Sequence, residues 1–243
     1  MTHNFLVLSL LFLAPGVVIF ALRADLRRVI AVVALCSIPF AFTEFLFYPS
    51  YWEPTFLFDL ADRIGFGIED LLFVVGLGAF SSTAYAFFTG ARFVAIDGAH
   101  LTLGAVARRA APVLGVTFAL TAAVALVGVP MIYGAFGIML AVSAVICLLR
   151  RDLALPSLLG GLLSMLVYSG LCLAFAALLP GVFELAWHTE QFLDRSVLGI
   201  PVEELMYGFA AGVAATAFYP YVTNQRLRRR PADALSDGSD ARP

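Results

Sequence analysis

Gly199-Ile200-Pro201-Val202-Glu203-Glu204-Leu205-Met206-Tyr207-Gly208-Phe209 opens the last apolar run of the chain. Two adjacent carboxylates stand where a helix enters an apolar phase. Pro201 suits a first helical turn, where its missing N–H costs nothing. Acids at that end are also favoured by the helix dipole. Taken alone, these features describe a capped interfacial helix. A paler copy upstream argues for more: Gly65-Phe66-Gly67-Ile68-Glu69-Asp70-Leu71-Leu72-Phe73 again sets two acids at the head of an apolar run. Acids at membrane depth are costly and mark functional sites by default. The rest of the chain reads as a scaffold that brings these two helix starts together.

Of the 243 residues, 61% are hydrophobic and 13% are charged, where a soluble domain carries roughly 25% charged residues. The mean hydropathy is +0.94. This is the composition of an integral membrane protein. Runs of spanning length fall near 5–22, 29–48, 68–88, 111–129, 132–149, 154–179 and 200–222, which predicts an all-α membrane fold with seven helices. Met1-Thr2-His3-Asn4 lacks the basic region of a signal peptide, so the first run is expected to be a retained helix. The polar stretch 226–243 reads as a disordered tail.

All 15 basic residues are Arg. Arg23, Arg27, Arg28, Arg92, Arg108, Arg109, Arg150, Arg151 and the tail arginines fall on one side of a seven-helix arrangement, and Arg63 and Arg195 alone fall on the other. The positive-inside rule then predicts a cell-membrane protein with its N-terminus outside and its C-terminus cytoplasmic. The acids show the opposite bias and crowd the outer end, where chemistry is expected.

An internal repeat runs through this pattern. Leu22-Arg23-Ala24-Asp25-Leu26 and Leu149-Arg150-Arg151-Asp152-Leu153 each follow a helix. After each come an apolar helix, an outer loop with Asp62-Arg63 or Asp194-Arg195, and an acidic helix start. Two parallel three-helix repeats, about 5–90 and 132–222, are joined by an extra helix at 111–129. A pseudo-twofold axis along the membrane normal would set the acid pairs face to face.

Neighbours on a helix point about 100° apart, so one acid of each pair faces a central cavity. Glu203 shares a face with Tyr207 and Glu69 with Phe73, which predicts Glu203 and Glu69 as the inward pair and Glu204 and Asp70 as tuning acids. Glu44, in Phe42-Thr43-Glu44-Phe45, either lines the same cavity or reaches the surface. Arg63 and Arg195 either pair with the remaining carboxylates or make interfacial ion pairs with Asp62 and Asp194. His188 is placed to relay a proton or to meet water. Tyr48, Tyr51, Trp52 and Trp187 suit an interfacial belt, and Phe73, Tyr207 and Phe209 stand beside the acids.

Cys36, Cys147 and Cys172 lie in apolar runs with no Cys-x-x-Cys pair, and no His cluster has metal-ligand spacing. No dinucleotide or phosphate-binding fingerprint is present, so no cofactor, metal or nucleic-acid partner is expected. The last helix has no Lys for a retinal Schiff base.

At the duplicated acidic helix start the chain resembles the membrane lycopene cyclases of the small, non-flavoprotein type. These consist of two subunits or two fused repeats, each with about three helices and a Pro-x-Glu-Glu motif opening its third. Pro201-Val202-Glu203-Glu204 matches that motif, followed by the aromatics Tyr207 and Phe209. Gly67-Ile68-Glu69-Asp70 departs from it, lacking the Pro and carrying Asp for the second Glu. Tyr51-Trp52 looks like the family's Trp-containing stretch, while its Pro-Trp-Asp is not evident.

The resemblance implies acid-initiated cyclisation of a long isoprenoid or carotenoid already dissolved in lipid. Glu203 is then the expected proton donor, Glu69 its counterpart, and Glu44, Phe73, Tyr207, Phe209, Trp52, Arg63 and Arg195 the substrate contacts. A hydratase or other prenyl-lipid-modifying enzyme on the same scaffold is the alternative, and a non-enzymatic transporter or assembly protein the rival from another class. A transporter needs a polar path across the whole membrane, whereas acids crowd one end here. Substrate, ring type and oligomeric state, homo-oligomer included, stay open.

Overall fold

The computed structural model describes residues 3–96 and 102–228. Among them, seven helical segments are long and apolar enough to cross a membrane. Without water at hand, such runs satisfy their backbone polar groups only by closing them into helices. The elements are α1 (Asn4–Leu22), α2 (Arg27–Ser37), α3 (Leu60–Ile64), α4 (Ile68–Thr89), α5 (Leu103–Val127), α6 (Met131–Leu149), α7 (Ala154–Leu178), α8 (Val182–Ala186) and α9 (Val202–Val222). The short helices α3 and α8 lie in the loops of the acidic end.

Two boundaries differ from expectation. The second run is not one α-helix: α2 tightens at Ile38 into a 3₁₀-helix, Ile38–Leu46, with Pro39 at its start. Pro has no N–H for the i→i−4 ladder, so the chain rewinds there. Glu44 sits on this tightened stretch. The extra helix begins at Leu103, ahead of the expected 111. Arg108 and Arg109 are therefore helical, and Arg109 Nη1 reaches the Tyr221 carbonyl at 3.3 Å. Long arginine stems allow such snorkelling near a helix end.

The two Arg-x-Asp segments fold alike. Arg23 grips Asp25 through Nε and Nη2, both at 2.8 Å, and Arg150 grips Asp152 through the same atoms at 2.8 and 2.7 Å. Each leads into a 3₁₀ turn, Ala24–Leu26 or Arg151–Leu153. At this arginine-rich end, β1 (Arg92–Ala95) pairs antiparallel with β4 (Gln225–Arg228). The start of the expected disordered tail is thus a strand, while 229–243 lie outside the described residues.

α4 and α9 are the most buried spans, and α5 is almost wholly exposed along its length. α1 crosses α4, and α7 crosses α9, at small residues, as membrane helices do when dispersion rather than water drives packing. A Cβ on Gly76 would lie 2.6 Å from the Phe12 carbonyl oxygen, and one on Gly212 would lie 2.4 Å from Ser164 Cβ. Deep in this centre Ser81 and Ser164 share a hydrogen bond of 2.7 Å.

At the acidic end the loops of the two halves join. The Glu53 N–H donates to the Ala186 carbonyl at 2.8 Å, and the His188 N–H donates to the Tyr51 carbonyl at 2.9 Å. Trp52 and Trp187 face each other across this bridge.

Candidate functional site

A cavity of about 250 Å³ lies between α2, α4, α5, α6 and α9 under the bridged loops. Its lining on α9 runs from Glu204 to Phe218, roughly 21 Å at 1.5 Å per residue. The carboxyls of Glu44, Asp70 and Glu204 are all at one end. Most wall hydroxyls are spent on their own helices: Ser37 on the Val33 carbonyl, Thr117 on Val113, Thr121 on Thr117 and Ser143 on Met139. Such back-bonding leaves the long wall effectively apolar.

Glu204 is fully enclosed by donors. Oε1 accepts from the Tyr51 hydroxyl at 2.7 Å and from Trp187 Nε1 at 2.9 Å, and Oε2 accepts from the Tyr168 hydroxyl. Tyr51 comes from the outer loop of the first half, Tyr168 from α7 and Trp187 from the loop after α8. Burial first, and the Glu204 carboxyl second, hold the Tyr51 phenol well above its ordinary value, so it stays a donor. Tyr168 lies against α9 because residue 208 is glycine; a Cβ there would meet Tyr168 Cγ at 2.7 Å.

Glu44 and Asp70 form the opposite group. Both residues line the cavity at this end. Trp52 Nε1 donates to Glu44 Oε1 at 2.7 Å, and Asp70 Oδ2 accepts the Gly67 N–H at 2.6 Å, capping α4. Tyr207 lines the cavity with Glu204 and Glu44. Phe73 completes the wall beside Asp70.

Residues 130–222, from the start of α6 through α9, match the lycopene cyclase family model. Over that segment the chain is similar to lycopene cyclases. The matched segment holds Tyr168, Trp187, Glu203 and Glu204, while Glu44, Trp52, Glu69 and Asp70 fall in the unmatched first half. No curated protein and no solved structure matches the chain.

The inward pair is the reverse of the expected one. Asp70 and Glu204 line the cavity; Glu69 and Glu203 do not. Both first acids are buried and turned to the preceding loops. Glu69 Oε1 accepts the Leu57 N–H at 2.6 Å, and Glu203 Oε1 accepts the Leu193 N–H and the Tyr133 hydroxyl, each at 3.0 Å. Sharing a helix face with Phe73 or Tyr207 did not decide the matter, because loop amides compete for the carboxyl nearer the helix start.

Arg63 and Arg195 lie away from the cavity: both are exposed, and neither is in an ion pair among the described residues. Phe209 also lies off the cavity and packs toward Gly161 at the α7–α9 crossing. His188 sits outside the cavity beside Glu53 and Glu190. Sequence reasoning missed Tyr168, which carries no signal within its apolar run. It placed Tyr51 and Trp187 in an interfacial belt without assigning their donor roles.

Proposed function

We propose that the protein cyclises the end of a linear isoprenoid, lycopene or a close relative, by acid initiation. The observation that carries this is the gathering of three carboxyls, Glu44, Asp70 and Glu204, at one end of a long apolar cavity. Glu44 or Asp70, in its acid form, gives its proton to a terminal alkene. The resulting cation is attacked by an internal alkene, forming the ring bond. Glu204, with a donor set suited to an ionised carboxylate, balances the cation and takes a proton from the neighbouring carbon. One proton enters and one leaves, so substrate and product are isomers and no redox partner is needed. Dry walls keep water from trapping the cation. The donor role expected of Glu203 thus passes to the Glu44–Asp70 pair.

The spent wall hydroxyls favour this reading over transport, because they leave no polar path along the cavity. We also place the acidic end outside and the arginine-rich end in the cytoplasm. The two halves are taken as repeats about an axis along the membrane normal, on the strength of their matching Arg–Asp turns and acidic helix starts.

The test is expression in a bacterial host that accumulates lycopene. The protein should yield a species of unchanged mass absorbing at shorter wavelength. Glu204→Gln and Asp70→Asn, expressed at the same level, should not yield it. A product heavier by one water would favour the hydratase, and unchanged lycopene with abundant folded protein would remove lycopene as the substrate.

A further inference from the structure

The two first acids are placed alike. Glu69 and Glu203 each stand one residue before the cavity acid of their helix, and both side chains are buried. In each, Oε1 accepts a backbone N–H from the loop leading into that helix, from Leu57 and from Leu193. In each, Oε2 has no hydrogen-bond partner. The amides gripped belong to the same dipeptide, Phe56-Leu57 and Phe192-Leu193. The two phenylalanines anchor those loops in turn: Phe56 packs edge-on to Phe5 at 5.2 Å, and Phe192 packs edge-on to Tyr51 at 5.2 Å.

Those loops carry the indoles. Trp52 precedes Leu57 by five residues and donates to Glu44; Trp187 precedes Leu193 by six and donates to Glu204. We propose that Glu69 and Glu203 are positioning residues, two matched clamps that hold the outer loops, and so both indoles, over the carboxyl end of the cavity. Each acidic pair divides its labour: the first acid pins the loop through its length and its acceptor oxygen, and the second faces the substrate. Gly67 belongs to the first clamp, because a Cβ there would lie 2.6 Å from both Glu69 Oε2 and Phe56 Cδ1. The assignment of chemistry to the second acids rests on the proposed cyclisation; the clamp itself does not.

A clamp and a proton donor respond oppositely to conservative changes. Gln keeps the length and the acceptor oxygen but cannot give up an acidic proton. Asp keeps the acid but is one methylene too short to reach the amide. The chain has two Trp, both in the bridged loops, so intrinsic fluorescence reports the clamps directly. The full-length protein and its Glu69→Gln, Glu69→Asp, Glu203→Gln and Glu203→Asp variants would be compared in lipid nanodiscs. Emission, acrylamide quenching and isoprenoid conversion would each be measured. The Asp variants should shift emission to the red, quench more readily and lose conversion, while the Gln variants keep all three. Gln variants that lose conversion with unchanged emission would overturn the proposal, since the acid itself would then be needed. So would Asp variants whose emission and quenching are unchanged. If the Asp variants fail to fold, Gly67→Ala tests the first clamp by crowding Glu69, and an unaltered emission would overturn it. Absence of conversion in every protein, the unsubstituted one included, would count against the proposed function, while the emission still decides the clamp.

Discussion

Trp52 and Trp187 touch across the mouth of the cavity, with ring centroids 5.1 Å apart and planes tilted by 51°. Each spends its indole N–H on a different carboxyl, Glu44 at 2.7 Å and Glu204 at 2.9 Å. The two residues lie in opposite halves of the chain. Their contact ties the placement of one acid group to the other, so the site is set by both loops together.

The two indoles should not be equally costly to lose. Trp52→Phe removes the N–H donor that Glu44 Oε1 receives. A buried acceptor deprived of its donor costs about 1–3 kcal/mol. Trp187→Phe leaves Glu204 with the Tyr51 and Tyr168 hydroxyls, and the net loss should be about 0.5–1.5 kcal/mol. Thermal unfolding in one detergent should therefore show the larger fall in Tm for Trp52→Phe.

Gly208→Ala should damage stability and site alike. The added methyl meets Tyr168 Cγ at 2.7 Å and Cβ at 2.9 Å. Overpacking of this kind costs about 1–3 kcal/mol, and it pushes the Tyr168 hydroxyl away from Glu204. Gly170→Ala on α7 is the control, since nothing lies within 4 Å of a Cβ there. Unfolding and product yield should both fall for the first variant and hold for the second.

Stability should drop in alkali because of Tyr51. Its phenol is held above the ordinary value by burial and then by Glu204, so the folded state keeps a proton that the unfolded chain gives up near pH 10. The stabilisation is complete below that pH and is lost as pH rises beyond it. Melting curves from pH 8 to 11 should steepen downward above pH 10 for the natural sequence. Tyr51→Phe should show a shallower fall.

Reporter fusions test the orientation. A periplasm-active enzyme joined after Leu178, at the acidic end of α7, should be active. The same reporter joined after Val222 should be silent. The reverse pattern would invert the assignment of the arginine-rich end to the cytoplasm.

The sequence by itself determined the membrane class, the seven spans and the two acidic helix starts. Apolar runs cannot be hidden in a chain that must satisfy its backbone without water, and each span is a local property of twenty or so residues. The Arg-x-Asp turns were legible for the same reason, since both partners lie within three residues. The tightening at Ile38 was less so: Pro39 marks the place but not whether the helix kinks or rewinds.

Which acid faces the cavity was decided only by tertiary structure. Glu69 and Asp70, or Glu203 and Glu204, differ by 100° around one helix, and no local pattern says which direction is inward. The loop amides of Leu57 and Leu193 settle it by taking the first acid of each pair. Glu44 joins Asp70, and Tyr51 and Tyr168 join Glu204, only because loops and helices distant in sequence close over one cavity. The exposed arginines, Arg63 and Arg195, looked equivalent in sequence and lie outside that closure, because nothing in the folded cavity needs their charge.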